Sequence, residues 1–129
     1  MTELVGLPKT SWNDTTKAFV AAFTQRFKVA PPPAAIENYD AEWIIAKAIQ
    51  RAGGTGQDAL IAALEKTDWV GGRGRYTFST SHTPAWAYHQ FMGAPMAIIQ
   101  YTELQQKPED APILFPKNVA TVDYPYKRP

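Results

Sequence analysis

Between Tyr39 and Phe78 the chain changes its hydrophobic period, and that change constrains the fold more than any single residue does. Two alanine-rich amphipathic stretches come first. Then follows Trp69-Val70-Gly71-Gly72-Arg73-Gly74-Arg75-Tyr76-Thr77-Phe78. The first part repeats its apolar positions as a helix does, and the end alternates polar and aromatic residues as a half-buried strand does. Gly71, Gly72 and Gly74 between them demand unusual backbone angles or a close approach of another chain segment. The chain has 129 residues, enough for one domain. A domain of that size buries about two thirds of its unfolded surface.

The helical signals begin near Asn13 or Asp14, either of which suits an N-cap. Phe19, Phe23 and Phe27 recur at i, i+4 and i+8 with Val20 beside them, which makes one apolar stripe. Lys17, Gln25, Arg26 and Lys28 form the polar remainder. The helix should end before Pro31-Pro32-Pro33, a run that favours an extended spacer. A second helix is expected from near Asn38, carrying Trp43, Ile44, Ala48 and Ile49 and stopping at Gly53-Gly54. It is apolar on more than one stripe, so it should be largely buried, with Ala41, Ala46 and Ala52 leaving room for close packing. A third helix is expected over residues 57–66, with Leu60, Ala63 and Leu64 inward.

Strand signals cover residues 75–78, 88–91 and 96–102, with a loop over 79–84 and a turn at Gly93-Ala94-Pro95. Leu4 to Leu7 reads as the end of a further strand. Prolines at 108, 112, 116, 125 and 129 predict an extended tail lying on another surface. Ile113, Leu114 and Phe115 are its expected anchor, with Tyr124 and Tyr126 a weaker one.

Composition removes several classes of function. With no cysteine, disulfides, thiolate metal sites and cysteine nucleophiles are excluded. A formal net charge of +1, with only Lys127-Arg128 as a basic run, gives no reason to expect nucleic acid. No apolar run approaches the roughly 20 residues of a membrane span, and residues 1–7 are too short and polar for a signal peptide. Gly71-Gly72-Arg73-Gly74 invites a phosphate-loop reading, but the required Lys-Ser/Thr and the following helix are missing. It reads as a structural turn. Arg73 and Arg75 have the chemistry to meet a carboxylate, although such a pair is more often solvated. His82 and His89 are too few for zinc, and Ser79 and Ser81 lack a nucleophile elbow. The aromatics from Trp69 to Tyr101 have only Arg73 and Arg75 as basic neighbours, so they suit packing better than base stacking. Glu37, Asp40 and Glu42 crowd the second helix start, where the helix dipole favours acids. A sharper reading has Glu37 facing a ligand.

The order of these pieces resembles the closing third of a periplasmic solute-binding protein of the branched-chain amino acid ABC-transporter receptor type. The likeness runs from about Ser11 to Tyr101. It includes the Phe19 to Phe27 helix, the proline spacer, the helix opening Tyr39-Asp40-Ala41, the Trp69 to Gly74 turn and the stretch from His89 to Pro95. The resemblance implies an α/β fold class, a partial type I periplasmic-binding-protein fold with helices packed on strands from two lobes. Residues 1–67 would be the helical part, 68–104 the closing strands and 105–129 the proline-rich tail. It implies no enzyme, no cofactor and no metal. It implies capture of a small-molecule solute (amino acid, amide or carboxylate) by lobe closure. The expected partners are the remaining N-terminal part of the receptor or a second chain, and an ABC permease in the membrane. The location would be periplasmic, or extracellular and membrane-associated. The ligand edge of this segment would be Ala35, Glu37, Asn38 and Tyr39. The small Ala34 and Ala35 permit a solute bulkier than a branched-chain amino acid. Alternatives are a ligand-sensing domain of a regulator or receptor, or a free-standing dimerising interaction module.

Overall fold

The computed structural model describes residues 9–32, 34–93 and 96–122. Three α-helices come first: α1 (Asp14–Phe27), α2 (Ala35–Ala52) and α3 (Gln57–Glu65). An antiparallel pair follows, β1 (Asp68–Gly71) with β2 (Gly74–Thr77), and later a second antiparallel pair, β3 (Ile98–Ile99) with β4 (Ile113–Phe115). This mixture of helix and strand is consistent with a partial α/β fold. The two pairs are separate two-stranded sheets among the described residues. The stretch 4–7, Ala94-Pro95 of the expected turn, and Tyr124 and Tyr126 lie outside the described residues.

Local chemistry sets the helix ends. The Asn13 side chain accepts from the Thr16 amide and caps α1. At the other end Lys28 turns left-handed, with φ 60°, and its amide closes on Thr24 before the prolines. Gly53, with φ 72°, ends α2 in the same way at a position where only glycine is unstrained. The start of α2 corrects the expectation from Asn38. The helix begins at Ala35, with Ala34 at the cap and no side-chain cap bond. Alanine is the strongest helix former, so the helix starts directly after the proline spacer and Asn38 falls inside its first turn.

Burial of α2 is narrower than its composition suggests. Ile36, Asp40, Ile44 and Ala48 are covered, each four residues from the next. Ala41 and Ala46 are exposed, so neither mediates close helix packing. α2 lies against α3, where Ala63 is also buried and an Arg51 guanidinium N–H donates to the Ala63 carbonyl. Asp40 of the covered stripe accepts from the Tyr76 hydroxyl of β2. Trp69 pairs with Tyr76 across β1 and β2, their rings 6.0 Å apart, and Phe91 stacks on Tyr76 at 4.4 Å.

Two expected strands are shorter or missing. Residues 88–91 form no strand. A 3-10 turn at Ala85–Ala87 precedes them, and His89 is left-handed at φ 60°, which breaks an extended run. Two backbone bonds still tie this stretch to Ser79. The 96–102 strand contracts to Ile98–Ile99, where a bulge shifts the register. Ile113 is 0% exposed and anchors a small apolar cluster with Ile99 and Ala111. It does so as part of β4, with Thr121 bonding its other edge. No helix among the described residues is long and apolar enough to cross a membrane.

Candidate functional site

Asp40 lies inside the apolar stripe of α2, four residues after Ile36 and four before Ile44, and is 0% exposed. A buried carboxylate needs donors, and the β1–β2 turn supplies them. The Gly72 amide donates to Oδ1 at 2.9 Å, the Arg73 amide to Oδ2 at 3.0 Å, and the Tyr76 hydroxyl to Oδ2 at 2.8 Å. Burial, followed by the bond to Asp40, pushes the Tyr76 hydroxyl pKa well above its ordinary value. Asp40 therefore acts as a brace that ties the helix to the hairpin, and the helix dipole is not its main role.

Glycine is needed in the turn because the helix approaches so closely. A Cβ on Gly71 would lie 2.6 Å from Asp40 Oδ1, and one on Gly72 would lie 2.5 Å from the Ile36 side chain. Gly74 has open space around it but sits at φ 107°, a conformation L side chains rarely adopt. α1 holds the turn from its other side. The Asn13 amide donates to the Gly71 carbonyl at 2.8 Å, and the Thr16 hydroxyl to the Gly72 carbonyl at 2.6 Å. The turn is thus a structural joint between two helices.

The brace positions one charged pair at the surface. Arg73 Nη1 donates to Glu37 Oε1 at 2.6 Å, with the Arg73 side chain largely covered and Glu37 half exposed. Arg75 reaches Asp68 through two parallel bonds of 2.6 and 2.5 Å across the hairpin. Those bonds hold the Asp68 carboxyl below its usual range. Both arginines thus meet a carboxylate, Arg73 from a largely covered position and Arg75 while still exposed to solvent, as such pairs more often are.

The four residues expected at a ligand edge share the first turns of α2 but do not converge on one point. Ala35 is half-buried, and Glu37 is drawn toward Arg73. Asn38 is exposed. Tyr39 turns to α1, its ring 5.0 Å from Phe19. Beyond it the rings of Phe27, Phe23, Phe19, Tyr39 and Trp43 form a continuous chain over α1 and α2, with Phe27 52% and Trp43 46% exposed.

His82 and His89 both stack on Tyr88, and His89 Nε2 lies 2.9 Å from Glu65. Among the described residues no group of three or more His, Cys, Asp or Glu is placed to hold a metal. Ser81 closes a local turn on Thr83. Sequence reasoning missed Asp40 as a brace, although its signal was present: an acid at a stripe position four residues from isoleucine on either side.

No curated protein and no solved structure matches the chain significantly. A family model described as periplasmic binding protein matches residues 6–106. That family consists of solute-binding proteins and not enzymes. The match spans the braced turn, all three helices and β3, and the chain belongs to the periplasmic binding protein family.

Proposed function

We propose that this chain is part of a solute receptor of an ABC-type uptake system. It would bind a small organic solute (an amino acid, amide or carboxylate) by lobe closure, a hinge motion that ligand contacts to both lobes stabilise. The family match over residues 6–106 carries the reading. In it the chain is non-enzymatic, works in the periplasm and hands its solute to a membrane permease. Residues 1–67 act as a helical part, 68–104 as closing strands and 105–129 as a tail, with β4 lying inside that tail segment.

The ligand edge in this reading is the start of α2, at Ala35, Glu37, Asn38 and Tyr39. Two features support it. The N-cap Ala34 offers no side-chain acceptor, so the amino end of the helix suits an anionic group. Glu37, half exposed and fixed by Arg73, suits a cationic one. A zwitterionic head group combines both. The exposed aromatic chain of α1 and α2 is then covered by the N-terminal part of the receptor, since bare apolar patches of this kind mark contact surfaces.

Calorimetry of this chain combined with the receptor's N-terminal part, against amino acids, amides and carboxylates, tests the reading. Glu37→Gln and Asn38→Ala should each weaken the best solute about tenfold, the scale of one charge-assisted bond. Unchanged affinity in both variants moves the ligand edge elsewhere. The exposed rings also favour a second reading, a dimerising module. Light scattering of the chain alone separates the two, because only the module forms a stable dimer by itself.

A further inference from the structure

A half-open cavity of about 150 Å³ is lined by Ile61, Leu64 and Glu65 of α3, by Phe78 just after β2, and by His89. Three of its lining residues are aliphatic or aromatic, and its polar groups are the Glu65 carboxylate and the His89 ring. Among the described residues, both bonds made to the Glu65 carboxylate reach the same oxygen. His89 Nε2 lies 2.9 Å from Oε1, and the Tyr88 hydroxyl donates to Oε1 at 3.3 Å. Oε2 is therefore left to accept from a ligand. The bond from His89, reinforced by Tyr88, holds the Glu65 carboxyl below its ordinary range and so keeps it charged. The supporting rings are fixed in turn, with Tyr88 stacked 3.9 Å from His82 and 3.7 Å from His89.

We propose that this cavity binds a small aromatic ammonium, its ring against Ile61, Leu64 and Phe78 and its charged nitrogen on Glu65 Oε2. A cavity of about 150 Å³ with such walls is about the size that takes one benzene ring. The only acidic group on the lining is a pure acceptor when ionised, so the ligand's head must donate. A cationic donor is favoured over a neutral one because charge-assisted bonds are about twice as strong. An aromatic carboxylate of the same size is rejected, since it would bring a second negative charge to Glu65. The site shares no lining residue with the start of α2, and it stands or falls independently of the ligand edge placed there.

Amide NMR spectra of the full chain, titrated with benzylamine, benzyl alcohol and benzoate, provide the test. Benzylamine should shift the amides of Ile61, Leu64, Glu65, Phe78 and His89, with an affinity on the order of millimolar for so small a ligand. Benzyl alcohol should bind about fivefold more weakly, the scale of a charge-assisted over a neutral bond, and benzoate should leave these amides in place. Glu65→Gln should bring benzylamine down to the level of benzyl alcohol. Ile61→Trp, at a position already exposed, should block both. Benzoate binding as well as benzylamine, shifts confined to other amides, or benzylamine binding unaltered in both variants overturns the proposal. The three-ligand comparison on the unsubstituted chain decides the charge argument even where a variant unfolds.

Discussion

Ile36, Asp40, Ile44 and Ala48 form one face of α2, and it is covered. Tyr39 and Trp43, next to two of them in sequence, are 38% and 46% exposed. The covered face has a carboxylate near its middle, while the exposed face is aromatic, which inverts the usual arrangement. The difference lies in what each face has found to bond. Asp40 receives three donors from the β1–β2 hairpin, and the two glycines let the turn come within reach. The aromatic rings meet one another and flanking cations, with Lys47 over Trp43 and Arg26 over Phe27. A complete polar joint is thus stable in the interior, whereas an apolar face stays partly bare where no surface among the described residues covers it.

The strongest way to break the covered face is Asp40→Ala. It leaves two amides and a hydroxyl without their acceptor, at about 1–3 kcal/mol per unsatisfied buried group. A total loss of about 4 kcal/mol is expected, close to the whole stability of a marginal domain. Urea unfolding with far-UV circular dichroism measures it, and a midpoint near that of the native chain would reduce Asp40 to a helix-end charge.

Gly72→Ala should cost about 2 kcal/mol, the usual scale of overpacking, because the new methyl meets Ile36. The same urea titration reads it. Pairing Gly72→Ala with Ile36→Val should recover part of the loss, and no recovery would mean that the backbone, not the Ile36 side chain, resists.

Tyr76→Phe should cost about 1 kcal/mol and also change the alkaline limb of stability. The folded-state pKa of Tyr76 is raised above its unfolded value of 10.0. The unfolded chain therefore loses this proton first, and stability is full below pH 10 and falls as pH rises further. The slope for one such group is about 1.4 kcal/mol per pH unit. Thermal melts between pH 8 and 12 should show this decline in the native chain and a shallower one in the variant.

On the exposed face, Trp43→Ser should change stability within about 0.5 kcal/mol, as surface substitutions do. The same change should weaken association with whatever covers that face, which sedimentation detects. A large loss of stability in the isolated chain would show that the aromatic chain of rings is already a core.

Much of the helical framework was legible in advance. The Phe19-Phe23-Phe27 spacing and the Asn13 cap located α1, and Gly53 located the end of α2, because these signals act within one or two helical turns. Tyr76 was legible as the inward residue of an alternating strand. Asp40 was less so. Its position at the helix start matched the dipole rule, and nothing local shows that a turn more than thirty residues away supplies its donors. Glu37, Asn38 and Tyr39 looked like one edge because they are adjacent in sequence. On a helix they point in different directions, and Glu37 is held by Arg73 from the hairpin. The 88–91 stretch carries two strand-compatible aromatics, Tyr88 and Phe91, but left-handed His89 breaks the extended run.

By itself the sequence determined the helices, the glycine turn and the family, since each rests on short-range periodicity or on the order of pieces along the chain. Only the tertiary structure decided which apolar stripe became interior, which carboxylate became a brace, and which arginine met which acid. Those outcomes depend on hydrogen-bond donors and packing surfaces brought together across dozens of residues, and no local pattern encodes where a distant turn will land.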